Sequence, residues 1–209
     1  MPNENYAVIT AANCPAENRS EALSKMPELA AISKQAGASR VSFGMTLSGI
    51  NPGALVYIQF FENLNGFEKV MNSFSSSDLY QDLVQNHAVS PYVRNVITMK
   101  QVPYEPKLDP RPNYLVLSKG ERVSLSESEV LSLLGTTASV FSANGAQTLR
   151  FGQIITGTDP GQYLLGVTYP SMKAIEDTYT SLSKNANFVK LSTGISINMR
   201  SIIQLHGMV

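Results

Sequence analysis

Two arginines at matching positions of the sequence have side chains that could bind an anion. Arg94 and Arg200 each occur inside a segment with the composition of a β-strand. A guanidinium enclosed by a barrel can hold a carboxylate or an enolate oxygen with two N–H donors. The alternative is that both arginines lie at sheet edges or in structural ion pairs. Alternation places Arg94 on one face with Tyr92 and Val96, and it leaves open which face is enclosed.

Phenol and amide side chains form a second group of candidate ligand contacts. Phenols can supply hydrogen bonds or proton transfer to an aromatic ligand. The alternative is a set of core aromatics whose hydroxyls bind backbone groups. The candidates for the interior are Tyr6, Tyr57, Gln59, Tyr114, Tyr163 and Tyr169.

Histidine and cysteine offer little further chemistry. His87 could act as a base because histidine titrates near neutral pH, but a single loop histidine is usually solvated. His206 has no second ligand at metal-binding spacing. Cys14 has no evident neighbouring His or Arg that would activate it as a nucleophile. The sequence also lacks a P-loop, a dinucleotide fingerprint and a GxSxG motif, so we expect neither a metal nor a cofactor.

Composition limits the partners of the protein. The 209 residues are 43% hydrophobic and 15% charged, and the 16 basic and 16 acidic residues give no net charge. We therefore expect no nucleic-acid or membrane partner. The first residues, MPNENYAVITAANCP, lack the pattern of a signal peptide, and no apolar run reaches the ~18 residues of a membrane span. With a single cysteine, these features favour a cytoplasmic protein.

An internal repeat organises the chain. Residues 37–61 read GASRVSFGMTLSGINPGALVYIQFF, and residues 145–169 read GAQTLRFGQIITGTDPGQYLLGVTY. The two segments match without a gap at a shift of 108 residues, from Gly37 to Gly145. The repeat predicts a first unit at residues 1–102, a Pro-rich linker at 103–112 and a second unit at 113–209.

Both copies carry the same helix signals. Asn18 and Ser126 each precede a glutamate by three residues, which predicts a capped helix start in each unit. Pro27 and Gly135 occupy one equivalent position inside these helices, so we expect a kink or a restart there.

The strands complete a β-α-β-β-α-β pattern in each unit. Asn-Pro-Gly at 51–53 and Asp-Pro-Gly at 159–161 predict the turns of two hairpins. Residues 55–61 are apolar at nearly every position, which is typical of a strand covered on both faces. A ferredoxin-like unit has helices on one face of its sheet, so the other face needs a cover. The other unit can supply it, and we expect an α+β fold in which the two units form an intramolecular pseudo-dimeric barrel.

In this arrangement the chain resembles the dimeric α+β barrel superfamily, which includes antibiotic-biosynthesis monooxygenases and stress-responsive barrel proteins. Residues 61–83, FENLNGFEKVMNSFSSSDLYQDL, are similar to the superfamily segment in which an aromatic strand end leads into a helix. Haem-degrading and quinone-forming members are associated with a cavity Trp or His. This chain has no Trp, and its two histidines lie outside the second helices, so the resemblance does not imply haem.

The leading hypothesis is a barrel that encloses a small, largely apolar or aromatic ligand between its two sheets, as a cofactor-independent monooxygenase-like or isomerase-like enzyme. It requires a pocket of roughly 300 Å³, with Arg94 or Arg200 pointing into it. The alternative is a non-catalytic structural or stress-related barrel that is filled by side chains and acts through protein–protein contacts. Pairing of the units within one chain predicts a folded monomer, or a homodimer built through another surface.

Overall fold

The computed structural model describes residues 4–209. Each half of this part of the chain contributes four strands and three helices. The strands are β1 (Tyr6–Asn13), β2 (Arg40–Thr46), β3 (Leu55–Phe61), β4 (Ser90–Lys100), β5 (Tyr114–Arg122), β6 (Thr148–Thr156), β7 (Tyr163–Tyr169) and β8 (Ile195–Met208). The helices are α1 (Arg19–Ala36), α2 (Leu64–Ser75), α3 (Asp78–Gln85), α4 (Glu127–Ala143), α5 (Met172–Leu182) and α6 (Ala186–Gly194).

The eight strands form one closed antiparallel barrel in the order β1-β3-β2-β8-β5-β7-β6-β4. Each unit contributes a four-stranded sheet, and the two sheets join where β2 pairs with β8 and where β4 pairs with β6. The barrel therefore has no exposed sheet edge. This architecture confirms the predicted intramolecular α+β barrel.

β3 shows why the barrel forms. All seven of its residues are buried. Val56, Ile58 and Phe60 pack inside the barrel, whereas Tyr57 and Phe61 pack against the helices of the first unit. A strand that is apolar on both faces can bury both only when its sheet is covered on both sides, by helices and by a second sheet.

The helices α1 and α4 both begin where the sequence predicts, but only α4 is capped in the predicted way. Ser126 and Glu129 form the expected capping box at the start of α4. In the first unit, α1 follows a short 3₁₀ turn, and the Asn18 side chain makes no cap. Its amide nitrogen instead donates a hydrogen bond to the carbonyl oxygen of His87, at 3.1 Å.

The sequence predicts a kink or a restart at Pro27 and Gly135; the restart is wrong, because α1 and α4 each run without a break, and the kink stays a prediction. Pro27 lies on the exposed side of α1, and buried Met26 and Ala30 on either side of it hold the helix against the core. Gly135 has a packing role. A Cβ atom at Gly135 would lie 3.1 Å from Cγ of Pro103, where the segment between the units crosses α4.

The segment between β4 and β5 lies against the second unit. The Tyr104 hydroxyl donates to the carbonyl oxygen of Ala146 at 2.5 Å, and the Lys107 amide donates to the carbonyl oxygen of Gln147 at 2.8 Å. Within residues 4–209, none of the helices has the length and apolar character needed to cross a bilayer.

Candidate functional site

A partly enclosed cavity, here called the chamber, lies inside the barrel between the two sheets. Its volume is about 70 Å³. That is several times the ~10–15 Å³ that one water needs, and it is below the roughly 300 Å³ expected for a drug-sized ligand. Its apolar wall comes from both units and includes Ala7, Ile9, Ile58, Ile97, Met99, Leu115, Leu117, Leu164 and Leu205.

The chamber exists because the two copies differ on their inner faces. Gly166 and Thr168 of β7 stand where the repeat places Ile58 and Phe60 of β3. A Cβ atom at Gly166 would meet only Leu115, at 3.4 Å, and Leu117, at 3.9 Å. The missing side chain therefore leaves free space beside the leucines of β5.

Polar side chains collect at one end of the chamber, where β1, β2 and β6 begin. Arg40 pairs in register with Phe60, and Thr148 pairs with Thr168. Arg150 lies two residues after Thr148 in β6, and both residues line the chamber. The chamber thus has an apolar body and an end that carries two guanidinium groups.

Both guanidinium groups bind the same carboxylate oxygen. Arg40 Nη2 donates to Glu4 Oε2 at 3.0 Å, and Arg150 Nη1 donates to the same oxygen. Both groups also lie over the Phe60 ring, with Cζ at 4.1 Å from the ring centroid for Arg40 and 5.0 Å for Arg150. Together the carboxylate and the aromatic face fix the position of two like charges.

The charges at this end are not balanced. Two guanidinium groups face one carboxylate, and Arg40 Nε is buried without a hydrogen-bond partner within residues 4–209. The pKa of Arg40 is lowered to about 10, mainly by burial and also by the charge of Arg150, while Glu4 opposes both effects. Burial also lowers the pKa of Arg150. Among the side chains of residues 4–209 that contact one another at this end, positive charge is therefore in excess.

A second type of pocket lies between each sheet and its own helices. In the first unit Arg94 Nε donates to Thr10 Oγ1 at 3.2 Å, and its Nη1 lies 3.5 Å from Met71 Sδ. This pocket has a volume of about 50 Å³ and is also lined by Tyr57 and Gln59. Arg94 is half-buried.

The second unit repeats this arrangement at the equivalent residues. Arg200 Nε donates to Ser118 Oγ at 3.0 Å, and its Cζ lies 4.9 Å from the centroid of the Tyr179 ring. This pocket also has a volume of about 50 Å³ and includes Tyr163. Arg200 is exposed, so its charged group lies at the solvent side of the pocket.

Tyr163 belongs to an ionic cluster at the edge of this pocket. Its hydroxyl donates to Glu127 Oε2 at 2.9 Å, and Lys100 Nζ lies 2.9 Å from Glu127 Oε1. Hydrogen bonds from Lys100, which has the larger effect, and from Tyr163 hold the pKa of Glu127 below its usual value. Burial, reinforced by Glu127, raises the pKa of Tyr163. The phenol is therefore a hydrogen-bond donor at neutral pH.

Tyr57 and Gln59 bind a serine of the helix above them. Ser33 Oγ lies 2.9 Å from the Tyr57 hydroxyl, and Gln59 Nε2 donates to the same oxygen at 3.1 Å. Burial raises the pKa of Tyr57, with Ser33 opposing the shift. These polar groups are mutually satisfied, so a ligand would have to compete with internal hydrogen bonds.

The sequence-predicted residues thus separate into two places, and both lie outside the chamber. Arg94, Tyr57 and Gln59 meet in the pocket of the first unit, and Arg200 lies in that of the second. Neither predicted arginine lines the chamber, and its volume of about 70 Å³ is below the roughly 300 Å³ required, so the chamber does not meet the two requirements of the leading hypothesis. The remaining predicted tyrosines, Tyr6, Tyr114 and Tyr169, pack in the helix-facing clusters.

Three residues at the end of the chamber were not predicted from the sequence as site residues: Glu4, Arg40 and Arg150. Arg40 and Arg150 lie in strand segments that alternate between polar and apolar residues, and such alternation usually places the polar face in solvent. Here the apolar face, with Val41 and Phe151, packs against the helices. The polar face turns into the barrel because the barrel encloses what would otherwise be the open face.

His87 and Cys14 are both buried. The expectation of a solvated His87 is wrong, because its Nε2 lies 3.2 Å from Asp82 Oδ2 and 3.6 Å from Glu21 Oε1. Cys14 does have a neighbouring arginine, since Arg19 Nε donates to its carbonyl oxygen at 3.1 Å. Burial nevertheless raises the pKa of the Cys14 thiol more than Arg19 lowers it. Across residues 4–209, no group of three or more His, Cys, Asp or Glu side chains is placed to hold a metal ion.

Comparison with known proteins identifies a family and a set of structural relatives. The profile of a family described as a domain of unknown function (DUF6854) matches twice, at residues 4–99 and 112–205. No curated protein matches the sequence.

The structural relatives share the fold at low sequence identity. A protein provisionally named a monooxygenase from Lactobacillus acidophilus NCFM has a TM-score of 0.64 at 12% identity, over 98% of this chain and 95% of that chain. An anthrone oxidase-like protein has a TM-score of 0.62 at 10% identity, over 99% and 93%. The R173K mutant of chlorite dismutase from Candidatus Nitrospira defluvii has a TM-score of 0.58 at 9% identity, over 98% and 92%.

Proposed function

Because the chain belongs to the DUF6854 family, whose description assigns no activity, we propose its function from the chamber: it binds a compact, largely apolar ligand between its two sheets. The observation that carries this proposal is a cavity of about 70 Å³ lined by apolar side chains of both units. An apolar cavity of about 150 Å³ can bind benzene, so a chamber of about half that volume favours a ligand no larger than one six-membered ring, with the side chains of the wall moving apart to admit it.

Filling the chamber tests this proposal. Gly166→Ile introduces the residue that the first unit has at the equivalent position, Ile58, and its Cβ atom would make ordinary contacts with Leu115 at 3.4 Å and Leu117 at 3.9 Å. We expect toluene to bind the wild-type protein and to lose at least about tenfold in affinity in the Ile variant, with Gly166→Ala in between. Titration followed by NMR of the chamber methyl groups measures this binding. Equal toluene affinity in all three proteins, or no binding by the wild-type protein, would contradict the proposal.

A cofactor-independent oxygenase or isomerase is the second candidate function, and we place it in the sheet–helix pocket of the second unit. The favouring observation is Arg200, whose exposed guanidinium lies beside the Tyr179 ring and could hold an enolate oxygen. Oxygen consumption with a panel of polyphenols tests this function. Loss of turnover in Arg200→Gln and not in the matched Arg94→Gln would support it. No turnover by the wild-type protein would leave a non-catalytic binding barrel.

The chain should fold as a monomer in the cytoplasm. Both seams of the barrel, β2 with β8 and β4 with β6, are formed within one chain, so a partner is not needed to close it. Sedimentation at micromolar concentration should give the 22.7 kDa species, or a dimer that dissociates on dilution without loss of secondary structure. Unfolding on dilution would contradict this proposal.

A further inference from the structure

We propose that the ligand of the chamber is a monocarboxylate, whose apolar part lies among the leucines and whose carboxylate binds Arg40 and Arg150 from inside the barrel. This inference rests on the proposed function and adds the head group of the ligand. It assigns a binding role to two arginines that lie outside both sheet–helix pockets.

The charge count at the arginine end indicates the ligand's charge. Arg40 and Arg150 bring two positive charges, and Glu4 is the carboxylate that they share. Among the side chains of residues 4–209 in contact there, one positive charge is left over in a partly buried site, where a charge is costly unless it is paired. A ligand with one negative charge would balance the site, and a second negative charge would exceed it.

The hydrogen-bonding capacity of Arg40 also favours a carboxylate ligand. Glu4 accepts from Arg40 Nη2 and Arg150 Nη1, and Arg40 Nε remains buried without a partner within residues 4–209. Arg40 and Arg150 both line the chamber. A planar guanidinium carries donors on more than one edge. The edge occupied by Glu4 therefore leaves donors of Arg40 available to a second carboxylate.

The surrounding residues hold the arginines ready for such a ligand. The Phe60 ring lies under both guanidinium groups, at 4.1 and 5.0 Å. Glu4 is anchored by the next residue, because the Asn5 side chain donates to the carbonyl oxygen of Glu62 at 2.9 Å and the Met99 amide donates to the carbonyl oxygen of Asn5 at 2.8 Å. Glu4 is thus a positioning residue that keeps two like charges together without neutralising both.

The apolar body of the chamber determines the rest of the ligand. Beyond the arginine end, the wall is made of aliphatic side chains such as Ile58, Leu117 and Leu164. A ring or a branched aliphatic group can occupy it, and a sugar or a phosphate ester would leave its polar groups without partners. Benzoate combines one ring with one carboxylate, so it is the probe. Toluene is its neutral control.

Two single substitutions should change carboxylate binding in opposite directions. Arg150→Gln leaves Arg40 and Glu4 as a neutral pair, so we expect benzoate affinity to fall about tenfold or more. Glu4→Gln removes the internal negative charge, so we expect benzoate affinity to rise severalfold. Toluene affinity should stay within about twofold in both variants, because the apolar wall is unchanged.

Titration calorimetry with benzoate and toluene, on the full chain at pH 7, provides the measurement. Arg150→Lys keeps the positive charge that Arg150→Gln removes, so it should retain most of the wild-type benzoate affinity. The comparison of the Gln and Lys variants of Arg150 tests the inference even if Glu4→Gln does not fold. Arg111→Gln is the matched control, since Arg111 is exposed and donates to the carbonyl oxygen of His206. It should leave both affinities unchanged.

The outcomes separate this inference from the proposed function. Toluene binding without tighter benzoate binding by the wild-type protein would overturn the inference and leave the proposed function standing. Equal benzoate affinity in wild-type protein and Arg150→Gln would also overturn it. Absence of binding of both probes would overturn the inference and the proposed function together. Opposite shifts in Arg150→Gln and Glu4→Gln, with toluene unaffected, would support the inference.

Discussion

The two repeat copies are alike at the end of β3 and β7 that leads into a helix, and they differ halfway along these two strands. Phe61 and Tyr169 occupy equivalent positions, and both are fully buried. Halfway along the strand, the first unit has Tyr57 and Gln59 hydrogen-bonded to Ser33. The second unit has only Leu165, Phe141 and Val167 at the equivalent positions. The same backbone therefore supports a polar network in one unit and an apolar core in the other.

The inner faces show the same type of difference. Ile58 and Phe60 fill the barrel from the first unit, whereas Gly166 and Thr168 leave the chamber open on the second. Arg40 and Ser42 in β2 correspond to Thr148 and Arg150 in β6, so the charged position is displaced by two residues between the copies. Inside the barrel, the positions that differ between the copies form the chamber and its arginine end.

The largest effect is expected where the two units are alike. Phe61→Ala and Tyr169→Ala should each lower the free energy of unfolding by about 3–5 kcal/mol, because each removes a fully buried ring. Urea unfolding followed by circular dichroism measures both. A difference of more than about 2 kcal/mol between the two variants would show that the equivalent positions do not have equal roles.

An intermediate effect is expected where the units differ. Ser33→Ala should lower the free energy of unfolding by about 1–3 kcal/mol, because it leaves buried polar groups of Tyr57 and Gln59 without their partner. Adding Tyr57→Phe to this variant should cost less than the sum of the two single substitutions, because the network is then already broken.

Ser24→Ala is the control for this experiment, since Ser24 lies exposed on the same helix. It reports the change in helix propensity, a few tenths of a kcal/mol, together with the loss of an exposed hydrogen bond to the Glu21 carbonyl oxygen. Strict additivity of Ser33→Ala and Tyr57→Phe would mean that the three side chains do not form one network.

The fold was predictable because its determinants are local and occur twice. The paired Pro-Gly turns, the capping box at Ser126 and the apolar strand at residues 55–61 each require a particular geometry, and the barrel follows from the need to cover β3. The restart predicted at Pro27 failed because packing of the buried residues on either side of it outweighs the local cost of the proline.

The sites were less predictable because their residues come together only through closure of the barrel. The equivalence of Arg94 and Arg200 is visible in the sequence, but closure places both on the helix side of the sheet. Glu4 meets Arg150 across 146 positions of sequence. No local pattern encodes that contact, and the alternation around Arg40 and Arg150 predicts a solvent-facing side.

The smallest effect concerns the ion pair between Lys100 of the first unit and Glu127 of the second, where Glu127 stands at the position equivalent to Arg19. Lys100 and Tyr163 hold the pKa of Glu127 below its ordinary value of 4.5. Because the folded-state pKa is the lower one, this stabilisation is present above about pH 4.5 and is lost as the pH falls through the folded-state pKa. Glu127 is one-third exposed, so Glu127→Gln should lower the free energy of unfolding at pH 7 by less than about 1 kcal/mol. The difference between wild-type protein and Glu127→Gln should therefore be smaller at pH 3 than at pH 7. If urea unfolding at both pH values gives a constant difference, Glu127 acts through packing and not through its charge.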